Sequence, residues 1–159
     1  MSLGTGRIAG IDFGTVRIGI AVCDPEGKIA SPLESYTRRN AELDARRFRQ
    51  LALEEKIVRW VVGLPVHLDG RESQKSREAR RFGQWLGEQT KVPVEFFDER
   101  FTTHDAEQFL LGAELTSKQR KRRIDKLAAQ IMLAAYLESS SQGRQAPEPL
   151  DDALGPARQ

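Results

Sequence analysis

Two kinds of hydrophobic spacing divide the chain into strand-like and helix-like segments. In the first forty positions, short apolar runs separated by turn-forming residues predict strands over residues 7–13, 17–23 and 28–36. The second run closes at the turn-like residues 24–27, and Pro32 indicates an edge position or a bulge in the third strand. Because the connections between these strands are short, we expect an antiparallel meander.

The pattern then changes to alternating helices and strands. Apolar residues repeat at helical intervals over residues 40–56 and again over 73–89, and short apolar runs follow at 57–63 and 92–98. A strand that follows a helical crossover lies parallel to an earlier strand, so these two strands are predicted to be parallel. We therefore expect an α/β fold, with one mixed five-stranded sheet (three antiparallel strands, then two parallel strands) and helices on both faces.

The last third of the sequence predicts two more helices and a tail. Thr102 and Thr103 offer N-caps for one helix, and apolar residues at helical spacing over residues 124–135 define the other. Beyond this helix, serine, glutamine, glycine and proline dominate and the periodicity stops. We therefore expect one domain over residues 1–138 and a disordered tail over residues 139–159.

The composition narrows the class of protein without identifying it. A chain of 159 residues with 39% hydrophobic and 30% charged residues suits one globular domain with a highly charged surface. The net charge of +2 is too small to indicate a nucleic-acid binder on its own. Cys23, the one cysteine, excludes an internal disulfide and a multi-cysteine zinc site, and its strand-like surroundings predict a buried, inert thiol.

The sequence also predicts where the protein works. Its first six residues lack the apolar segment of a signal peptide, and no apolar run approaches the ~20 residues that a membrane span needs. We therefore expect a cytoplasmic protein without a membrane partner.

Three acidic residues occupy positions where a charge needs a reason. Asp12 lies inside the first predicted strand, between Ile11 and Phe13, where aspartate is disfavoured. Glu99 follows the last predicted strand at its carboxyl end, the end of a parallel strand where ligands gather. Asp125 borders the apolar stripe of the last helix, from which it could lean toward the strand ends.

A cluster of these carboxylates predicts a metal-dependent hydrolase. Three carboxylates in a site of low dielectric repel one another, and a hard divalent cation removes that repulsion. Oxygen ligands suit Mg²⁺ or Mn²⁺, and two such ions about 3.5–4 Å apart activate a water and stabilise the leaving oxygen of a phosphodiester. We therefore predict that Asp12, Glu99 and Asp125 are catalytic residues and ligands of two Mg²⁺ or Mn²⁺ ions, and that the reaction is hydrolysis by in-line attack.

Each acidic residue also has an ordinary structural interpretation. Asp12 could cap the bend at residues 14–15, and Asp98 or Glu99 could cap the helix that follows. Asp98 also competes with Glu99 as the metal ligand. Asp125, taken alone, is typical of a solvated helix residue, so only the combination of the three indicates a site.

Four short motifs, in the same order along the chain, resemble those of the YqgF/RuvX family. Each motif is weak alone, but four in order over residues 7–138, in a chain of the family's usual length, form a strong signal. The motifs are Ile11–Thr15 with Arg17–Val22 after it, Val62–Pro65 followed by Asp69 and Gly70, Asp98–Thr103, and Ile124–Ala129.

The resemblance implies a ribonuclease H-like fold and a nuclease related to Holliday junction resolvases. It implies a hydrolase acting on ester bonds that matures the 5′ end of pre-16S ribosomal RNA in ribosome biogenesis, and the family's acidic residues fall on Asp12, Glu99 and Asp125. Classical resolvases carry an acid at the end of the strand that here closes with residues 63–65, where none is present, so Glu99 would substitute from the next strand. Junction resolution is therefore the alternative to ribosomal RNA processing.

Basic residues near the acidic positions predict contact with a polyanion. A basic block directly precedes Asp125, a second cluster lies on the helix that starts at Ser73, and Arg100 adjoins Glu99. Aromatic residues are sparse, so we expect recognition of backbone and shape in structured RNA, with a ribosomal precursor favoured, or in branched DNA. An ordinary mixed-charge surface is the alternative. The predicted nucleic-acid contacts are Arg17, Arg77, Arg100, Arg120, Lys121, Arg122 and Arg123.

Two other functions compete with the nuclease. Residues 12–15 also resemble the phosphate-binding motif of actin-like ATPases and sugar kinases, but the chain carries no second copy and is too short for two lobes. A non-catalytic nucleic-acid-binding factor in transcription or ribosome assembly would have no use for the acidic triad. No dimer patch is evident, and Trp60 and Trp85 are expected to pack in the core, so both a monomer and a homodimer are compatible with the sequence.

Overall fold

The computed structural model describes residues 6–65, 72–99 and 117–145, and a mixed five-stranded sheet forms its centre. The strands are β1 (Arg7–Asp12), β2 (Arg17–Cys23), β3 (Ala30–Thr37), β4 (Ile57–Leu64) and β5 (Val94–Asp98), in the spatial order β3-β2-β1-β4-β5. β2 pairs antiparallel with both β1 and β3, while β4 lies parallel to both β1 and β5. The predicted antiparallel meander and two parallel strands are confirmed.

Among the described residues, three helices cover this sheet, and the predicted placement of helices on both faces is confirmed. They are α1 (Ala41–Glu54), α2 (Gln74–Thr90) and α3 (Ser117–Gln145). Asn40 and Ser73 cap α1 and α2, because each side chain accepts a hydrogen bond from the backbone N–H three residues ahead. α1 and α2 pack on one face of the sheet and α3 packs on the other.

Helix α3 extends further than the sequence pattern indicates. The predicted start of the tail, residue 139, lies within this helix, which continues to Gln145. Residues 146–159 and the predicted helix after Thr102 and Thr103 lie outside the described residues. Within the described ranges, no helix is both long and apolar enough to cross a membrane.

The edge strand β3 carries the predicted irregularity at Pro32. Leu33, the residue after Pro32, has no partner in the pairing with β2. It therefore forms a bulge on this outer strand of the sheet. The strand also begins two residues later than predicted. The Asp24 carboxylate accepts hydrogen bonds from the backbone N–H groups of Lys28 (2.7 Å) and Ile29 (3.0 Å), and these bonds hold both residues in the preceding turn.

Aromatic rings dominate the core between the sheet and helices α1 and α2. The Phe48 ring meets Trp60 and Phe82 edge to face, with centroids 5.8 and 5.6 Å apart. Trp60 is fully buried, and its indole N–H donates to the Thr90 hydroxyl (2.9 Å). The prediction that the tryptophans pack in the core is confirmed for Trp60, while Trp85 is only half-buried at the edge of the same cluster.

A second core lies between the sheet and α3. Met132 and Leu133 are fully buried against strand residues that include Cys23. The Cys23 sulfur accepts a hydrogen bond from the backbone N–H of Ile8 (3.2 Å), and burial raises the pKa of its thiol. The predicted buried, inert thiol is confirmed.

Candidate active site

The carboxyl ends of β1, β4 and β5 meet at one edge of the sheet, where a small acidic cavity lies. β1 ends at Asp12, Glu99 follows β5, and α3 brings Asp125 to the same edge. The cavity has a volume of about 180 Å³ and is lined by Asp12, Phe13, Gly14, Arg17, Gly63, Pro65, Lys75, Glu99 and Asp125. The structure therefore brings the three predicted acidic residues to one cavity, and Asp98 is absent from its lining.

Two glycines allow these groups to approach one another. Gly19 pairs with Asp12 across β1 and β2, and a β-carbon at Gly19 would collide with the backbone carbonyl of Asp125. In β4, a β-carbon at Gly63 would collide with the carboxylate of Glu99. The missing side chains thus admit both α3 and Glu99 to the edge of the sheet next to Asp12.

Asp12 and Glu99 form a hydrogen-bonded acid pair. Burial is the largest cause that raises the pKa of each carboxyl group, to about 6 for Asp12 and about 8 for Glu99. Repulsion from Asp12 raises the pKa of Glu99 further, because a proton held between the two carboxyl groups reduces that repulsion. A cation bound between two such carboxyl groups would relieve their repulsion, so this pair favours cation binding.

Asp125 faces the same cavity but is held by other partners. Its Oδ2 accepts hydrogen bonds from Arg17 Nε (2.7 Å) and from the Ser35 hydroxyl (3.1 Å). Its charge still raises the pKa of Asp12. Within the described residues, no three acidic, histidine or cysteine side chains stand in an arrangement that could hold a metal ion. The three acids therefore line one cavity, where Arg17 and Ser35 engage one oxygen of Asp125, and the binding of metal by all three stays a prediction.

The donor set of the acid pair fits a hard divalent cation. Asp12 and Glu99 present oxygen ligands in a partly buried cavity, which are the ligands that Mg²⁺ and Mn²⁺ prefer. Binding would replace the shared proton and relieve the repulsion that raises the pKa of Glu99. Arg17 and Ser35 engage only Oδ2 of Asp125, so Oδ1 could serve as a further ligand.

Lys75 is a member of the site that the predicted set of nucleic-acid-binding residues omits. It lines the acidic cavity, and its positive charge lowers the pKa of both Asp12 and Glu99. The sequence contains the information needed to place Lys75 near the site. Ser73 caps the helix that follows β4, so Lys75 in its first turn lies near the carboxyl edge of the sheet. Ser35, by contrast, lies on a distant strand and has no sequence signal.

The predicted nucleic-acid contacts have different positions in the structure. Arg17 reaches the cavity, where it pairs with Asp125. Arg77 is exposed on α2 and donates to the Gln74 side chain (3.2 Å), away from the cavity lining. In the turns of α3 before Asp125, Arg120 is half-buried, and Arg122 and Arg123 are exposed. Arg100 and the side chain of Lys121 lie outside the described residues.

Comparison with known proteins identifies the family. The sequence profile of the RuvX family, described as a Holliday junction resolvase, matches residues 6–139 of the chain. The chain belongs to the RuvX family. Membership confirms the resemblance that the four motifs indicate and the predicted enzyme class, a nuclease that hydrolyses phosphodiester bonds.

Other RuvX relatives match over most of the chain. A protein of Rhodopirellula baltica named "Putative pre-16S rRNA nuclease" is 50% identical over 135 residues, which cover 85% of this chain and 78% of the relative. A protein of Koribacter versatilis with the same name is 39% identical over 142 residues, 89% of this chain and 93% of the relative.

Solved structures show where the RuvX fold belongs. Thermus thermophilus RuvC in complex with a Holliday junction substrate aligns with a TM-score of 0.52 and 18% identity, covering 86% of this chain and 97% of that one. The yeast mitochondrial Holliday junction resolvase Ydc2 aligns with a TM-score of 0.51 and 9% identity, covering 89% and 81%. These similarities confirm the ribonuclease H-like fold.

Proposed function

We propose that this RuvX family member is a metal-dependent endonuclease that processes the 5′ end of pre-16S ribosomal RNA. The acid pair carries the proposal: the carboxyl groups of Asp12 and Glu99 meet in one cavity at the carboxyl edge of the sheet, where burial raises the pKa of each. Burying two carboxyl groups together is costly in a purely structural role. The names of the relatives support the ribosomal substrate.

Each side chain of the cavity has a proposed task in hydrolysis. Asp12 and Glu99 would hold a Mg²⁺ or Mn²⁺ ion, which supplies a nucleophilic water and stabilises the leaving oxygen. Lys75 neutralises part of the negative charge of the cavity and offers a cation to the scissile phosphate. Arg17 orients Asp125 through Oδ2, which leaves Oδ1 as a candidate ligand for a second ion.

The basic turns of α3 would hold the substrate next to this cavity. Arg120, Arg122 and Arg123 precede Asp125 on the same helix, so the phosphates that they bind would lie close to the acids. Contacts of this kind follow the backbone and carry no sequence information. They suit a precursor RNA and a branched DNA equally well.

A cleavage assay with matched acidic variants tests the proposal. The substrates are an RNA that carries the 5′ leader of 16S rRNA and a four-way DNA junction, each with Mg²⁺ or Mn²⁺. We expect Asp12→Asn and Glu99→Gln to lose at least about a hundredfold in rate, as for other general acid–base and metal-ligand losses. Asp98→Asn removes a neighbouring acid outside the cavity lining, so its cleavage rate should stay within a few fold of the wild-type rate.

Each outcome separates one part of the proposal from another. Cleavage of the leader RNA in preference to the junction supports ribosomal RNA processing, and the reverse preference supports junction resolution, the activity in the description of the family. Equal cleavage by wild type and Asp12→Asn would place the activity in a contaminant or at a different site.

A further inference from the structure

A groove lined by aromatic rings and guanidinium groups opens beside the acidic cavity, and the proposed hydrolysis does not use it. Its volume is about 410 Å³, and it lies between the end of β1, the start of α1 and helix α2. The side chains that matter for its chemistry are Phe13, Phe82, Trp85, Arg38, Arg39 and Arg81.

Three rings form one wall of this groove. Phe82 is buried in the middle, with the Phe13 centroid 5.0 Å away and the Trp85 centroid 5.5 Å away. The ring planes are tilted by 33° and 37°, and at these centroid distances neighbouring rings overlap instead of lying side by side, so the three rings form an offset stack. Phe13 and Trp85 are half-buried, so each leaves part of its ring open to the groove. Such a surface suits the flat face of a nucleobase.

Arg38 places a cation against the same wall. Its guanidinium lies over the Phe13 ring at 5.2 Å and over the Phe82 ring at 5.8 Å. Its Nε atom is buried without a hydrogen bond and stands 3.6 Å from Asp44. The Asp44 Oδ2 atom forms this ion pair with Arg38, while Oδ1 accepts hydrogen bonds from the Tyr36 hydroxyl (2.7 Å) and the Arg39 backbone N–H (2.9 Å).

The rim of the groove is positively charged. Arg39 and Arg81 are exposed, and neither guanidinium forms an ion pair with another described residue. Glu78 is a carboxylate in the same lining, and it accepts a hydrogen bond from the Gln74 side chain (3.1 Å). With Arg38 behind them, the two rim arginines outweigh Glu78 and favour an anionic ligand.

The groove is continuous with the acidic cavity. A depression of about 260 Å³ lies between them, and it shares Thr15 and Glu78 with the groove and Lys75 and Asp125 with the acidic cavity. Lys75 and Trp85 are ten residues apart on α2, which corresponds to about 15 Å along the helix. At ~3.4 Å for each stacked nucleotide, that distance spans at most about four nucleotides.

We propose that this groove binds an unpaired nucleotide of the substrate strand, within about four nucleotides of the scissile phosphate. The base stacks on Trp85 at one end of this stack of rings, and Arg39 and Arg81 contact the adjoining phosphates. The inference rests on the proposed function for the position of the cut, whereas binding itself needs no turnover. It gives the protein a preference for a single-stranded segment beside the cut, since a paired base cannot reach the wall.

Abasic-site scanning tests the stacking directly. The probe is a labelled single-stranded 12-mer and a series in which one base at a time is removed, measured by fluorescence anisotropy in EDTA so that hydrolysis does not intervene. In wild type, one abasic position should weaken binding about 5- to 150-fold, the range for stacking of one base on an aromatic side chain. Trp85→Ala should weaken the intact 12-mer by a similar factor and abolish the abasic effect.

The controls separate stacking from loss of fold. Trp85→Phe keeps an aromatic ring and should retain most of the affinity and the abasic effect. Arg46→Gln removes an exposed arginine outside the groove, one that pairs with Glu42, and should bind as wild type. If Trp85→Ala binds the 12-mer as tightly as wild type, or if the abasic penalty is the same in both, the wall only packs the core and the proposal is wrong.

The result also separates this proposal from the proposed function. If Trp85→Ala loses the abasic effect but the wild-type protein shows no Asp12-dependent cleavage, the groove proposal stands and the proposed hydrolysis is wrong. If cleavage depends on Asp12 but Trp85→Ala retains the abasic effect, the proposed hydrolysis stands and the groove proposal is wrong. Equal dependence on Trp85 for the 12-mer and for a blunt duplex of the same sequence would overturn the requirement for an unpaired base.

Discussion

The carboxylate of Glu99 lies over Gly63, in the space that a side chain at position 63 would fill. β4 runs between β1 and β5, and it ends without an acid at this edge. The acid pair is therefore formed across β4, by Asp12 of β1 and Glu99 after β5.

Gly63→Ala is expected to displace Glu99 while the protein still folds. The new methyl group would occupy the position of the carboxylate, and a shift of about 1 Å in a catalytic group can cost a hundredfold in rate. Steady-state cleavage should fall about 10- to 100-fold, with Tm close to that of wild type. A double variant provides the matched test. Gly63→Asp with Glu99→Ala should cleave at least about tenfold faster than Glu99→Ala alone, and equal rates would show that the two positions are not interchangeable.

Releasing Asp125 from Arg17 should strengthen metal binding. The pair is partly buried, with an N–O distance of 2.7 Å, and Arg17→Gln would free a carboxylate that faces the cavity. Isothermal titration should give a Kd for Mn²⁺ at least about fivefold lower than in wild type. Lys75→Gln is the control, because it removes the same charge from the cavity without freeing a carboxylate. Equal gains in Mn²⁺ affinity in the two variants would mean that the loss of a positive charge alone accounts for the tighter binding.

The metal-free protein should lose stability as the pH rises. The pKa values of Asp12 and Glu99 are raised from 3.8 to about 6 and from 4.5 to about 8. Between the ordinary and the raised values, the folded chain binds protons that the unfolded chain has released. This contribution to stability is therefore complete below about pH 4 and is lost as the pH rises through 6 to 8.

Thermal melts in EDTA measure this loss. Between pH 5 and 9, Tm should fall by about 5 °C more in wild type than in Asp12→Asn, since about 2 kcal/mol shifts Tm by roughly 4–8 °C in a chain of this size. Mg²⁺ should raise Tm more at pH 8.5 than at pH 5. Parallel curves for the two proteins would contradict the shared proton.

The basic turns of α3 should set the salt dependence of binding. Replacing Arg120, Arg122 and Arg123 with glutamine should flatten the plot of log K against log salt by about 0.7–0.9 for each phosphate that the protein no longer neutralises. Arg46→Gln with Arg59→Gln is the control, since both arginines are exposed and pair with acids elsewhere. An unchanged slope in the triple variant would remove this surface from the substrate path.

The sequence predicts the sheet, and the place of Asp12 and Glu99 at its edge, because both depend on local pattern. Asp12 interrupts an apolar strand, and Glu99 stands at a strand end, so each is visible in its own segment. The pairing of Asp125 with Arg17 is not visible, since 108 residues separate them and the close approach of α3 to β2 depends on Gly19. The folded chain is needed to show that Asp125 is engaged.

The aromatic groove is hidden from the sequence for a different reason. Aromatic residues make up only 7% of the chain, which argues against base stacking when they are counted along its length. The fold brings Phe13 and Trp85 together on either side of Phe82, from a strand end and from one face of α2. A few rings are enough to form a stacking surface when the sheet and one helix bring them together beside the acidic cavity.

The most direct test of the acid pair is a crystal soaked in Mn²⁺ and measured for anomalous scattering. We expect an anomalous peak about 2.1 Å from oxygens of both Asp12 and Glu99, the distance typical of a hard divalent cation and a carboxylate. The same soak of Asp12→Asn crystals should show the peak strongly reduced. Mn²⁺ bound elsewhere, with no anomalous density between Asp12 and Glu99, would contradict a metal-dependent hydrolysis at this edge of the sheet.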